Sequence, residues 1–193
     1  PFFIDTTIPT TPGTPTTTTP TSSKTPTWSW TSSTDGGSGL ATNAYTIQWC
    51  EDSGFPVGCD SNIDTSATNS YTHTVDLTDN PWYFRVNAVD TLGNASPYSE
   101  NGTVLIDTTS PTVPTSVSSS DHTSSVWSSD NTIGMIWSAA SDSGSGLGGY
   151  SYIFDTTSDT IPDTIQDISN VTDVISSSLS DGNSYYFHIR SVD

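Results

Sequence analysis

The sequence predicts an all-β chain of two consecutive β-sandwiches with almost no helix. Three observations carry this. Large side chains alternate with small polar ones over short runs, as in Tyr45, Ile47 and Trp49, and residues two apart share one face of a strand. Ser and Thr make up about a third of the residues, a bias toward extended backbone and polar strand faces. The phrases of the first hundred residues also return, in the same order, in the remainder.

The repeat sets the organisation. "FFIDTTIPTTP" from Phe2 returns as "VLIDTTSPTVP" from Val104, "WTSSTDGGSGLA" from Trp30 as "WSAASDSGSGLG" from Trp137, and "WYFRVNAVD" as "YYFHIRSVD". The spacings are 102, 107 and 103 residues, so one unit is about a hundred residues with small changes of loop length. Residues 1–5 read as the last-strand tail of a preceding repeat, 6–107 as the first repeat, and 108–193 as a second repeat cut before its last strand. The rival reading is that "PFFID" completes the open edge of another copy by strand addition.

The elements follow in order. Prolines at 9, 12, 15, 20 and 26 oppose helix and make the Thr-rich opening either a stiff first strand or a semi-rigid linker. Trp28 and Trp30 share a face of the next strand, with Met135 and Trp137 as counterparts. Tyr45, Ile47 and Trp49 are mirrored by Tyr150, Tyr152 and Phe154. His73, Val75 and Leu77 come next, then Trp82, Phe84, Val86 and Ala88, mirrored by Tyr185, Phe187, Ile189 and Ser191. About seven strands per hundred residues, separated by Gly, Asp, Asn and Pro turns, is a sandwich pattern.

Composition excludes whole classes of partner. Three Lys and Arg against 21 Asp and Glu give a net charge of -18, which cannot neutralise phosphates, so nucleic acid and anionic membrane surfaces are not expected partners. No run approaches the roughly 20 apolar residues of a membrane helix, and "PFFID" lacks the parts of a signal peptide. Cys50 and Cys59 bracket "EDSGFPVG", whose turn residues favour a hairpin that brings the thiols together as a disulfide. Two free thiols or half a metal site are the alternatives. A disulfide implies an oxidising, extracellular or cell-surface location.

The order of Trp, Tyr, Leu, a turn, an aromatic and "RVNAVD" resembles the fibronectin type III or related immunoglobulin-like repeats of large secreted or cell-surface bacterial proteins. The resemblance covers essentially the whole chain and implies tandem immunoglobulin-like (fibronectin type III-like) β-sandwiches. It says little of activity, because this family serves as spacer, adhesin module and enzyme accessory domain alike. The family's corner aromatic falls on Trp82 and Tyr185; at Trp82 an indole N–H replaces the usual hydroxyl.

The sharpest chemical constellation is acidic. In a seven-stranded sandwich the lead-in and the loops after the second and sixth strands lie at one end. They contribute Asp5, Asp35, Asp90 and Asn94 in the first copy, and Asp107, Asp142 and Asp193 in the second. Gathered carboxylates repel unless a hard cation sits among them, which makes Ca2+ at interdomain junctions one reading. Plain turn chemistry, Asp before Gly or Ser, is the other. No cofactor is required.

Catalysis is not expected. His73 and His188 fall on strand positions, His122 lies in a Ser-rich connection, and no nucleophile-elbow sequence is present. Carbohydrate binding is a further alternative: Trp49, Tyr98 and Trp127 could stack on sugar rings, unless Trp49 lies in the core and Trp127 covers the sandwich edge. Asn94, Asn101 and Asn170 open N-x-S/T triplets, and the Thr/Pro run has an O-glycosylated composition. The expected function is a non-catalytic structural module, an extended spacer or adhesive stalk whose partners are neighbouring repeats. Its alternatives are a surface-filament subunit self-associating into fibres and a polysaccharide-binding accessory module.

Overall fold

The computed structural model describes residues 1–59 and 62–193, which divide into two compact units, Pro1–Thr108 and Thr109–Asp193. Every regular element among the described residues is a strand.

Unit 1 is a sandwich of two antiparallel sheets. One pairs β1 (Thr27–Ser29) with β4 (Ser70–Thr72). The other has the order β3 (Ile63–Ser66), β2 (Leu40–Cys50), β5 (Pro81–Asp90) and β6 (Gly102–Leu105). The inward faces meet in an aromatic core. Trp28 stacks on Phe84 at 4.1 Å, Trp30 meets Tyr45 edge-on at 5.4 Å, and Ile47, Val86, Val104 and Ile106 fill the remainder. Large offset rings let few residues close the core of a chain that is only 31% hydrophobic.

The Thr/Pro opening runs along the sandwich. Pro9, Pro12 and Pro15 are buried, while Thr10, Thr11 and Thr14 are exposed. The residue after each proline donates its N–H across: Thr10 to Thr34 O, Gly13 to Thr31 O, and Thr16 to Ser29 O, at 2.9 to 3.1 Å. A three-residue period is that of a polyproline-type turn, which turns every third side chain to the same side. The segment then crosses to the other sheet, where Thr21 N–H bonds Leu105 O at 3.0 Å. Prolines are tolerated because this is an edge with N–H groups needed only between them.

Unit 2 repeats the plan with fewer strands. β8 (Gly134–Ser138) lies between β7 (Thr115–Ser119) and β10 (Asp173–Ile175), and β9 (Gly149–Asp155) pairs with β11 (Tyr186–Val192). Trp137 meets Tyr150 edge-on at 5.3 Å, the counterpart of Trp30 and Tyr45. Both tyrosine hydroxyls accept a backbone N–H at 2.9 Å, from Ser33 in unit 1 and Ala140 in unit 2.

One stretch differs from its sequence pattern. His73 and Leu77 are buried but Val75 is 66% exposed, because β4 ends at Thr72 and the strand period does not continue through residues 73–77. Backbone bonds there go instead to the Pro-rich edge, from His73 N–H to Pro26 O and from Leu77 N–H to Lys24 O.

Candidate functional site

The carboxylates of Asp5, Asp35 and Asp90 converge at one end of unit 1, each offering an oxygen within 4.8 Å of the others. Asp5 comes from the lead-in, Asp35 from the β1–β2 loop, and Asp90 closes β5. Gly37 makes the approach possible, since a Cβ there would collide with the Asp5 carboxylate.

The hydrogen bonds show how each oxygen is used. Asp90 is 2% exposed and accepts four: Leu92 N–H and Asn94 N–H on Oδ1, Asn94 Nδ2 and the Ser38 hydroxyl on Oδ2, at 2.7 to 3.2 Å. Burial pushes its carboxyl up, but these bonds, led by the Asn94 amide, outweigh burial and hold it below the usual carboxylate range. Asp5 Oδ1 accepts the Thr7 hydroxyl and N–H at 2.5 and 3.0 Å, and Oδ2 accepts Ser38 N–H at 2.6 Å. The Thr7 hydroxyl first, then Ser38 N–H, hold Asp5 well below its ordinary value. Asp35 Oδ2 accepts Gly37 and Gly39 N–H at 3.1 and 2.7 Å, while its buried Oδ1 has no hydrogen-bond partner.

A carboxylate has about four lone-pair sites. All those of Asp90 are engaged, so open acceptor capacity lies on Asp35 Oδ1 and Asp5 Oδ2. A Ca2+ ion takes six to eight oxygens. The cluster therefore offers two ready ligand atoms, within a constellation built first to bond loop N–H groups.

In unit 2, Asp142 Oδ2 accepts Gly146 N–H at 2.7 Å, as Asp35 does with Gly39. Asp107 is buried at the end of unit 1, donating its N–H to Thr21 O at 3.0 Å, and Asp193 follows β11.

Cys50 and Cys59 form a disulfide with Cα atoms 5.6 Å apart. Both are buried with Phe55, and Tyr83 packs against them. The Arg85 guanidinium lies between Phe55 and Tyr98, 4.1 and 4.3 Å from their ring centres, and its Nε–H bonds Gln48 Oε1 at 2.8 Å. This clamp was not legible in sequence, because Phe55, Arg85 and Tyr98 lie far apart in the chain and carry no spacing signal.

The other singled-out residues fall in different settings. Trp49 is half-buried, edge-on to His73 at 4.6 Å, and Tyr98 is committed to Arg85. Trp127 is 80% exposed in the β7–β8 loop. Asn94 Nδ2 bonds Asp90 Oδ2 and Asp5 O, which uses both its protons, so a glycan there would displace one bond. Asn101 Nδ2 donates to Ser53 O at 2.8 Å, and Asn170 is exposed before β10.

The histidines serve the framework. His73 is 2% exposed beside Trp49, Phe84 and Tyr71, and burial lowers its pKa. Tyr71, desolvated and bonded to Asp64 at 3.0 Å, is pushed up to about 12. His188 Nε2 bonds Thr157 O at 2.9 Å beside Asp155.

Comparison with known proteins agrees with this architecture. The chicken CNTN1 FN1-FN3 domains superpose with a TM-score of 0.54 at 18% identity, over 95% of this chain and 62% of that one. A Fn3-like protein from Clostridium thermocellum gives 0.38 at 21% identity, over 52% of this chain and 96% of that one. The first of these likenesses shows the fold: each unit is a β-sandwich of the fibronectin type III fold, and the chain holds two of them in tandem. Its sequence is 35% identical over 153 residues, 76% of its length, to Exoglucanase B of Cellulomonas fimi. The chain spans about 12% of the length of that curated relative. No profile of a known protein family matches.

Proposed function

We propose that the chain is a non-catalytic structural module of an extracellular protein, a load-bearing spacer between other domains. The observation that carries this is what the two units share. Thr10 N–H to Thr34 O and Thr34 N–H to the Thr10 hydroxyl return as Thr112 N–H to Ser141 O and Ser141 N–H to the Thr112 hydroxyl, all at 2.8 to 2.9 Å. With the tyrosine bonds to Ser33 and Ala140, what is repeated is framework, while the loops differ in length and chemistry. Repetition of a frame suits a part whose task is mechanical.

The likeness to a 12% portion of an exoglucanase supports an accessory part within a polysaccharide-acting protein. The disulfide supports an oxidising, extracytoplasmic setting. Pulling single molecules by their ends tests the reading. A load-bearing spacer gives two separate all-or-none extensions; gradual lengthening at low force would sink it.

A further inference from the structure

Trp127 is the most exposed aromatic side chain of unit 2. Trp127 is 80% exposed and Val126 62% exposed at the tip of the loop between β7 and β8. Ser125, just before them, has a φ of 64°, in the left-handed region that non-glycine residues avoid, and Val126 N–H closes a turn onto Thr123 O at 3.2 Å.

The imidazole of His122 bridges the two sides of the loop near its base. His122 Nδ1 lies 2.7 Å from Asp121 Oδ1, and Nε2 lies 3.3 Å from Asp130 O. Asp121 in turn accepts Gly134 N–H at 3.0 Å and the Ser119 hydroxyl at 2.9 Å, and Asp130 accepts Thr132 N–H and hydroxyl at 3.0 Å. Gly134 allows this approach, since a Cβ there would sit 2.5 Å from Ser120 Oγ. A carboxylate and a carbonyl can only accept, so both ring nitrogens must carry hydrogen for the clamp to be complete. The charged groups facing the ring are Asp121 and Asp130.

We propose that the Val126–Trp127 tip is a carbohydrate-stacking contact, presented to solvent by the His122 clamp. The proposal deepens the reading of the chain as an accessory module and rests on it. The ligand class follows from charge and shape. A chain of net charge -18, with Asp121 and Asp130 at the base of the tip, repels phosphates, anionic lipids and acidic polymers. A bare indole face flanked in sequence by Ser124, Ser128, Ser129 and Asn131 pairs an apolar plane with hydroxyl and amide groups, which suits the C–H face and hydroxyls of a neutral pyranose. One ring gives weak affinity by itself, which recurrence along a polymer multiplies.

The test is retention of the purified chain on microcrystalline cellulose and on chitin at pH 5.5 and 8.5, with tryptophan fluorescence against cellohexaose. Wild type is retained on at least one polymer, W127A falls roughly tenfold or more with an unchanged unfolding midpoint, and W127F recovers part of the loss. H122A matches wild type at pH 8.5 but lacks its rise toward pH 5.5. Equal retention of W127A and wild type would overturn the contact, and an H122A retained as well as wild type at pH 5.5 and at pH 8.5 would overturn the clamp's part in it. Failure of wild type to bind either polymer also rejects the contact, yet leaves the spacer reading to the pulling experiment.

Discussion

The indole Nε1–H of Trp82 donates to Thr78 O at 3.0 Å, doing in unit 1 what the Tyr185 hydroxyl does in unit 2, where it joins Ser180 N–H and O at 2.9 and 3.2 Å. Two chemistries close the same corner. Tyrosine can donate and accept, tryptophan only donate, so the unit 1 corner keeps one bond where unit 2 has two. W82F, which removes the donor and keeps most of the ring, is expected to lower stability by about 1 kcal/mol. Urea unfolding followed by fluorescence checks it.

The disulfide closes the hairpin that holds Phe55 over Arg85. Replacing Cys50 and Cys59 with Ser is expected to cost about 2.5 to 3 kcal/mol. In a pulling experiment, reduction lengthens the extension of one unit by about 25 Å, the stretched length of the nine-residue separation less the 5.6 Å that the bond already spans. An unchanged extension would mean that the bond is not intact in the native protein.

The acidic cluster in unit 1 is under mutual repulsion, and Asp35 Oδ1 has no donor facing it. D35N keeps an oxygen for Gly37 and Gly39 and supplies an NH2 group toward the other carboxylates. Its melting temperature in chelator should exceed that of wild type by a few degrees. Millimolar calcium should raise wild type more than the variant; a lower melting temperature of D35N in chelator would show that the charged bonds Asp35 accepts from Gly37 and Gly39 N–H outweigh the repulsion.

The two best-placed histidines respond to pH in opposite senses. Burial lowers the pKa of His73, so the unfolded chain binds more protons as pH falls below about 6.5, and stability drops from there toward the folded value. The bond to Asp121 raises the pKa of His122, so its contribution is full below about 6.5 and is lost as pH rises through the folded value. Nuclear magnetic resonance titration of the imidazole protons should place His122 above and His73 below the ordinary value. The reverse order would refute both assignments.

Sandwich architecture was readable because the aromatic alternation of Trp28, Trp30, Tyr45 and Ile47 forces one inward face, and because repetition fixed the unit length. The acids were readable as a set, since topology alone brings Asp5, Asp35 and Asp90 to one end. Their lone-pair accounting was not, because it depends on Ser38 and Asn94 approaching from separate loops. Val75 misled because a two-residue period persists in sequence after β4 has stopped. The His122 clamp was invisible: its partners Asp121 and Asp130 lie in a Ser-rich stretch whose composition reads as plain loop.

The buried register of Pro9, Pro12 and Pro15 restricts how this part of the chain can change over evolutionary time. In an ordinary surface loop, gaining or losing one residue is absorbed by slack. Here a single insertion would rotate the prolines to solvent and put ring nitrogens where Thr10, Gly13 and Thr16 present N–H groups. Length variation in the opening of this unit should therefore be tolerated in multiples of three residues, a reading frame imposed by backbone geometry.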